Sequence, residues 1–458
     1  CITGTRIATS FLNDDDTVFG QDLCADFIDN KVRYYFFFKN YQLCENFLNS
    51  ALKDSAYFQK LEEDIQRLKE KSIKKFLDVA HLNRDELILL VREFVDDFKR
   101  FIDISGILRE HDHGVRNYFS SRYSGNKLDH IFMTVSNGEE KHMSFNRQEE
   151  VQVLRYAIHI QQENIKHDTS KWNTLIDHLF DSFRWSVCGY YNELPRTRDN
   201  YRALLLDALS RNPYEELTSI EQKIQKDISL RNELLSALTE EEQKVADIVQ
   251  QIVYLKDYYK SQCNEFLCKA EPFFERLSEV LGWKIHDLKN LNEDEMVTLL
   301  QDKPIDLALV AQRNKQSIPI TWNGHFNVLV NEQALLFKET FLNTTSNVPL
   351  QYKGRTACRG LVEGIARVVL RKEEFAEFNE REILVAFNTS PDYVPIMKRA
   401  SAIIAEEGGL TSHTAIVARE LNIPCIVGID HITDFVYTGD RLRVDASNGV
   451  IEIVEKHE

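Results

Sequence analysis

The sequence predicts a multidomain chain of two fold classes: a large, mainly α-helical N-terminal region over residues 1–343 and a C-terminal α/β domain over 354–458. Three observations predict it. From about Gln59 to Gln301, apolar residues recur at helical spacing behind capping-box sequences. Toward the C-terminus, short apolar runs alternate with glycine turns instead. Between the two lies TTSNVP, Thr344–Pro349, whose polar, proline-terminated composition marks residues 344–353 as a hinge.

Composition narrows the function classes. The 458 residues are 43% hydrophobic, enough to bury cores in two or three domains. A net charge of −16 argues against broad binding to nucleic acid or an anionic membrane, and leaves room for a local phosphate pocket. Eight cysteines without a C-x-x-C pair fit the reduced thiols of a cytoplasmic protein rather than a disulfide framework or a zinc site, and no metal ligands are expected. No signal peptide or long apolar run is present. The chain opens on Cys1 rather than methionine, as expected if residues or a whole domain precede it.

In chain order, RYYFFFKN (Arg33–Asn40) reads equally as a buried strand or a helix segment. Leu87, Leu90, Val91, Phe94, Val95 and Phe98 form a helical stripe behind Asn83-x-x-Glu86. Thr239-x-x-Glu242 opens a second helix through Val245, Ile248, Val249, Ile252 and Val253, and Asn292-x-x-Glu295 a third through Met296, Leu299 and Leu300. These stripes are packing surfaces of a bundle. Ser317–Val330 reads as a small strand region before a helix near Asn331–Phe341.

Two runs in the helical region can carry chemistry. EHDH, Glu110 with His111, Asp112 and His113, reads as a metal site or a general base toward a substrate hydroxyl, with Arg116 and Arg122 near for a phosphate or carboxylate; the plainer reading is a solvated polar loop. YLKDYYK, Tyr254–Lys260, lines a pocket or simply packs, and Arg196, Arg198 and Arg202 read as a solvated face.

The C-terminal domain holds the sharper signal. SAIIA, Ser401–Ala405, has the form of a buried strand, and Gly408-Gly409 can take backbone dihedrals closed to other residues. Thr411 or Ser412 then caps a helix carrying Ala415, Ile416, Ala418 and Leu421, which Asn422 and Pro424 end. His413 falls in the first turn, where amides and the helix dipole favour an anion attached to its ring. On residues alone it fits a phosphorylated imidazole or a capping or core histidine. Arg419 is a phosphate partner or a solvated arginine. Cys425 reads as a small buried hydrophobe, and GDRLRVDASNGVIEIV closes the chain as a hairpin.

The residues Gly408, Gly409, Thr411, Ser412, His413, Ala415, Ile416, Arg419, Glu420, Ile423, Pro424, Val427 and Gly428 resemble the phosphohistidine swivelling domain of phosphoenolpyruvate-utilising enzymes, among them phosphoenolpyruvate synthase, pyruvate phosphate dikinase, enzyme I and rifampicin phosphotransferase. Flanking agreement at Gly360, Gly364, Thr389, Pro391, Gly439, Asp445 and Gly449 extends the resemblance over about Lys353 to Val454. It implies a β/β/α domain in which His413 is the phosphoryl carrier, Thr411, Ser412 and Arg419 act beside it, and Gly408 and Gly409 approach the phosphate. It also implies ATP and Mg2+ supplied through an ATP-grasp domain or subunit. The chain shows no Walker-type loop, and from its end shortly after Val454 no C-terminal phosphoenolpyruvate barrel is expected. Domain order resembles rifampicin phosphotransferase, which implies a helical acceptor-binding region, but no motif of that region matches residue by residue; the acceptor, a small-molecule hydroxyl or water, is expected at His111, Asp112, His113 and Arg116 on the residue types of the EHDH run alone. The alternative is a non-enzymatic phosphocarrier or regulatory subunit that recognises a protein.

Overall fold

The computed structural model describes residues 23–28, 31–36, 41–54, 56–136, 143–188, 195–288, 291–322, 325–337, 351–370, 372–389, 393–410, 412–429 and 431–457. The N-terminal elements are β1 (Leu23–Ile28), β2 (Lys31–Phe36), α1 (Tyr41–Lys53), α2 (Tyr57–Phe76), α3 (Arg84–Ser120), α4 (Gly125–Val135), α5 (Phe145–Gln162), α6 (Ser170–Phe183), α7 (Arg198–Ser210) and α8 (Pro213–Ser236). Then come α9 (Glu240–Lys269), α10 (Glu271–Leu281), α11 (Ile285–Leu288), α12 (Glu293–Leu300), α13 (Leu307–Lys315), β3 (Gln316–Trp322), β4 (His325–Val330) and α14 (Asn331–Phe337). The C-terminal elements are β5 (Gln351–Lys353), β6 (Arg355–Cys358), β7 (Leu361–Val368), β8 (Ile383–Ala386), α15 (Val394–Met397), β9 (Ala402–Ala405), α16 (His413–Leu421), β10 (Cys425–Val427), α17 (Ile432–Phe435), β11 (Arg441–Asp445) and β12 (Val450–Glu455).

The chain divides into two compact units, and the division does not follow the expected boundary at residue 343. One unit takes Gln42–Val115 and Asn137–Pro304; the other takes Arg116–Ser136 and Ile305–Glu458 together with the N-terminal strands. The long helix α3 passes from the first to the second between Val115 and Arg116.

The first unit is helical because its sequence caps and stripes agree. Asn83 Oδ1 accepts from the amide of Glu86 at 3.1 Å while Glu86 Oε2 accepts from the amide of Asn83 at 2.8 Å, so α3 begins where the capping box puts it. Its stripe residues Leu87, Val91, Phe94, Val95 and Phe98 are all buried, and Phe94 stacks on Phe266 of α9 with centroids 5.4 Å apart. At α9, Thr239 Oγ1 and Glu242 Oε2 reciprocate in the same way. Thr239→Ala is expected to cost about 1 kcal/mol, measured by chemical denaturation of the full chain. A second core lies among α5, α6 and α7 around Trp172, Leu179, Tyr201 and Leu205.

Arg196 departs from the expected solvated face. Its Nε lies 3.2 Å from Glu149, a buried carboxylate that also accepts from Tyr201 Oη at 2.7 Å and from Ser186 Oγ. Burial pushes the Glu149 carboxyl up, opposed by Arg196, Tyr201 and Ser186. Arg198 pairs with Asp177 and sits over the Phe180 ring, and Arg202 pairs with Asp199.

The second unit holds two sheets. A four-stranded antiparallel sheet runs β2-β1-β3-β4, so Arg33–Phe36 belongs to a strand and the expected strands in Ser317–Val330 form a hairpin. Pairing of β1 with β3 is interrupted at Ile318 and Pro319, where proline offers no amide to the ladder. The eight-stranded sheet has the order β5-β12-β11-β7-β8-β9-β10-β6, parallel from β7 to β10 and antiparallel outside them. Every residue of β8 and β9 is buried, as expected of central parallel strands covered on both faces. Gln351–Lys353, expected in the hinge, is instead β5, paired with β12; Thr344–Pro349 lies outside the described residues.

Candidate functional site

Strand β9 leads through a glycine turn into α16, and β10 returns beside β9, so the start of α16 stands at the carboxyl ends of parallel strands. That edge is where open α/β sheets place their ligands. Backbone bonds fix the turn at both sides: the amides of Glu406 and Glu407 donate to the carbonyls of Ala386 and Phe387, and the amide of Gly428 donates to that of Ala405. Glu406, which sequence reasoning did not single out, is buried and accepts from the backbone amide and hydroxyl of Thr433 at 3.1 and 2.5 Å. It ties the turn to α17.

Gly408 has φ +120°, and a Cβ there would lie 2.8 Å from Ser412 Oγ. The conformational freedom expected of both glycines is used by Gly408; Gly409 is absent from the positive-φ glycines and is needed for close approach instead. A Cβ at Gly409 would lie 3.0 Å from Arg116 Nη2 and 3.7 Å from Arg355 Nη1.

Ser412 is the N-cap, its hydroxyl accepting from the amide of Ala415 at 3.3 Å. Thr411 lies outside the described residues, as does Pro391. His413 is the first helical residue and is 7% exposed. It therefore lies in the first turn, at the positive end of the helix dipole. Thr414 and Thr389 share a buried hydrogen bond of 2.9 Å between hydroxyls; Thr389 belongs to the resemblance, Thr414 was missed. Arg419 is buried, and its Nη1 donates to the carbonyl of Leu410 at 2.8 Å, so it braces the turn from inside. Burial pushes the Cys425 thiol well above its ordinary range, which keeps it a neutral hydrophobe.

The EHDH run is no loop: it lies within α3. In the first unit, the His111 ring is buried against Tyr57 and Phe58, with Nε2 3.0 Å from Tyr57 Oη. Burial lowers its pKa to about 4, so the ring is neutral at pH 7. Asp112 pairs with Lys256 of α9 at 2.9 Å, and His113 is half-buried. In YLKDYYK, Tyr259 is buried and Tyr254 Oη donates to Glu62 at 2.6 Å, so these rings pack. Arg116 belongs to the second unit, over Phe132 and against the Gly409 turn. Among the described residues no group of three His, Cys, Asp or Glu side chains is placed to hold a metal.

His111 makes an acid-limb prediction. Its proton is bound by the unfolded chain below about pH 6.5 and refused by the folded one until about pH 4, so stability rises with pH across that window. His111→Gln is expected to remove up to about 3 kcal/mol of the stability loss between pH 6.5 and 4, read as a flatter curve of unfolding free energy against pH.

The fold of the C-terminal region and the turn leading into α16 are consistent with the swivelling domain of phosphoenolpyruvate-utilising enzymes. Residues 378–449 match the family model for the mobile domain of PEP-utilising enzymes. The probable phosphoenolpyruvate synthase of Staphylothermus marinus is 44% identical over 108 residues, covering 23% of this chain and 13% of that protein. The phosphoenolpyruvate synthase of Helicobacter pylori is 40% identical over 118 residues, 26% and 14% respectively, and the probable synthase of Pyrococcus horikoshii 34% over 169 residues, 34% and 21%. The similarity thus spans between 13% and 21% of the length of these curated relatives. Among the described residues no helix is long and apolar enough to cross a membrane.

Proposed function

We propose that the protein is a phosphotransferase component in which His413 carries a phosphoryl group from a donor to an acceptor. The observation that carries this reading is the placement of His413 at the start of α16, behind a Gly408 turn, in a domain matching the PEP-utilising mobile domain. A lone pair on a ring nitrogen of His413 attacks phosphorus; the bond from phosphorus to the donor oxygen breaks and its electron pair leaves with the donor. An acceptor oxygen then attacks the same phosphorus, the P–N bond breaks, and its pair returns to the ring. The acceptor's proton passes to a base or to water. Histidine suits this division because its phosphoramidate is labile enough to hand the group on.

Ser412 orients the helix start, Arg419 braces the Leu410 carbonyl, and Gly408 gives the turn its shape. Positioning and charge neutralisation supply most of the rate in such transfers. ATP with Mg2+ is the donor in this reading, both supplied through an ATP-grasp domain or subunit. The acceptor in this reading is a small-molecule hydroxyl or water bound by the helical region; of the residues proposed for it, His111 is fully buried against Tyr57 and Phe58 and Asp112 is paired with Lys256, so neither is presented to a substrate hydroxyl as a base.

The test is intact-mass spectrometry under alkaline conditions after mixing the chain with an active ATP-grasp protein and ATP. One acid-labile phosphoryl group is expected. No gain, with the donor shown to be active on its own substrate, would leave a binding module without carrier chemistry.

A further inference from the structure

Two guanidinium groups meet on the turn that ends at His413. Arg116 Nη2 and Cζ stand 3.0 and 3.6 Å from the Cβ position of Gly409, and Arg355 Nη1 stands 3.7 Å from it. The turn is closed by the amide of Ser412 donating to the Gly409 carbonyl at 2.9 Å, and His413 is the next residue. The fold places both arginines, Arg116 by side-chain packing and Arg355 by its strand. Arg355 opens β6, and α4 packs on that strand. The Arg116 guanidinium lies over the Phe132 ring of α4 with Cζ 4.9 Å from its centroid, and Phe132 is itself buried edge-on against Phe119 at 5.8 Å. In a chain of net charge −16, this puts two permanent positive charges against one glycine turn.

We propose that Arg116 and Arg355 form a clamp that neutralises the phosphoryl group on His413, with Arg116 supplied by the end of α3 rather than by the C-terminal domain. The clamp rests on the phosphohistidine reading given above. It explains why residue 409 is glycine without a positive φ: a side chain there would occupy the space through which the guanidinium reaches the turn. It also gives Arg116 a role at the carrier histidine, where sequence reasoning had grouped it with His111 and Asp112 at an acceptor site. Guanidinium forks present paired N–H donors to phosphoryl oxygens, and charges fixed in advance need no reorganisation when the group arrives.

The test uses the full chain and potassium phosphoramidate, a chemical phosphoryl donor that needs no partner protein. Phosphorylated wild type, Arg116→Ala, Arg116→Lys and Arg355→Ala are titrated by 31P NMR, with His413→Ala identifying the resonance. Nearby positive charge opposes protonation of a phosphoimidazole, so each alanine variant is expected to raise the titration midpoint by about 1 pH unit, with Arg116→Lys restoring part of the shift. Arg355 is exposed, so its alanine variant carries the test even where loss of Arg116 disturbs packing. Midpoints equal to wild type in both alanine variants would overturn the clamp and leave the carrier function standing. A wild-type chain that takes no phosphoryl group at His413 would overturn both.

Discussion

His413→Ala is expected to take no phosphoryl group from a donor that loads the parent chain, and to remain folded. The chemical loss is total in kind, because no second histidine stands at the start of α16; as a rate, removal of a lone nucleophile costs on the order of 10^4-fold or more. The structural loss is small. Alanine is the best helix former, and Ser412 still caps the amide of Ala415. Removing a ring that is 7% exposed costs about 0.5–3 kcal/mol, within the range of ordinary single substitutions. Intact mass gives the first result and thermal unfolding followed by circular dichroism the second. Phosphorylation persisting in the variant would move the carrier role to another residue.

What the sequence made legible is what local chemistry determines. The capping boxes at Asn83, Thr239 and Asn292 each give a helix start, because a reciprocal side-chain to backbone bond spans only three residues. The local backbone of the candidate site was legible for the same reason: strand, glycine turn, cap and histidine follow one another without a gap. What stayed hidden depends on contacts between distant segments. Nothing in Leu23–Phe36 signals that it pairs with Gln316–Trp322, since strand patterning names a partner's face and not its identity. The assignment of Arg116–Ser136 to the C-terminal unit is equally silent, because α3 continues across that boundary with unbroken helical pattern. Arg196 looked solvated because its partner Glu149 lies far away in sequence, on α5. Arg355 was passed over since a lone arginine on a short strand has no motif; only the approach of Gly409 reveals it.

The two glycines of the turn separate backbone demand from steric demand, and their alanine variants are expected to differ. At Gly408 the φ of +120° lies where L side chains rarely go, and the added Cβ would meet Ser412 Oγ and Cβ at 2.8 and 2.9 Å. The strain costs about 1–3 kcal/mol, and displacing the capping hydroxyl about 1 more. Gly408→Ala is therefore expected to lose about 2–4 kcal/mol of stability, by chemical denaturation, and to be phosphorylated poorly because the start of α16 moves. Gly409 takes no positive φ, and the atom its Cβ would meet is the far end of the Arg116 side chain, which can swing aside. Gly409→Ala is expected to stay within about 1 kcal/mol of wild type while the guanidinium withdraws from the turn. A Gly408→Ala protein as stable as Gly409→Ala would show that the turn tolerates another path, and that the position of His413 does not depend on this glycine.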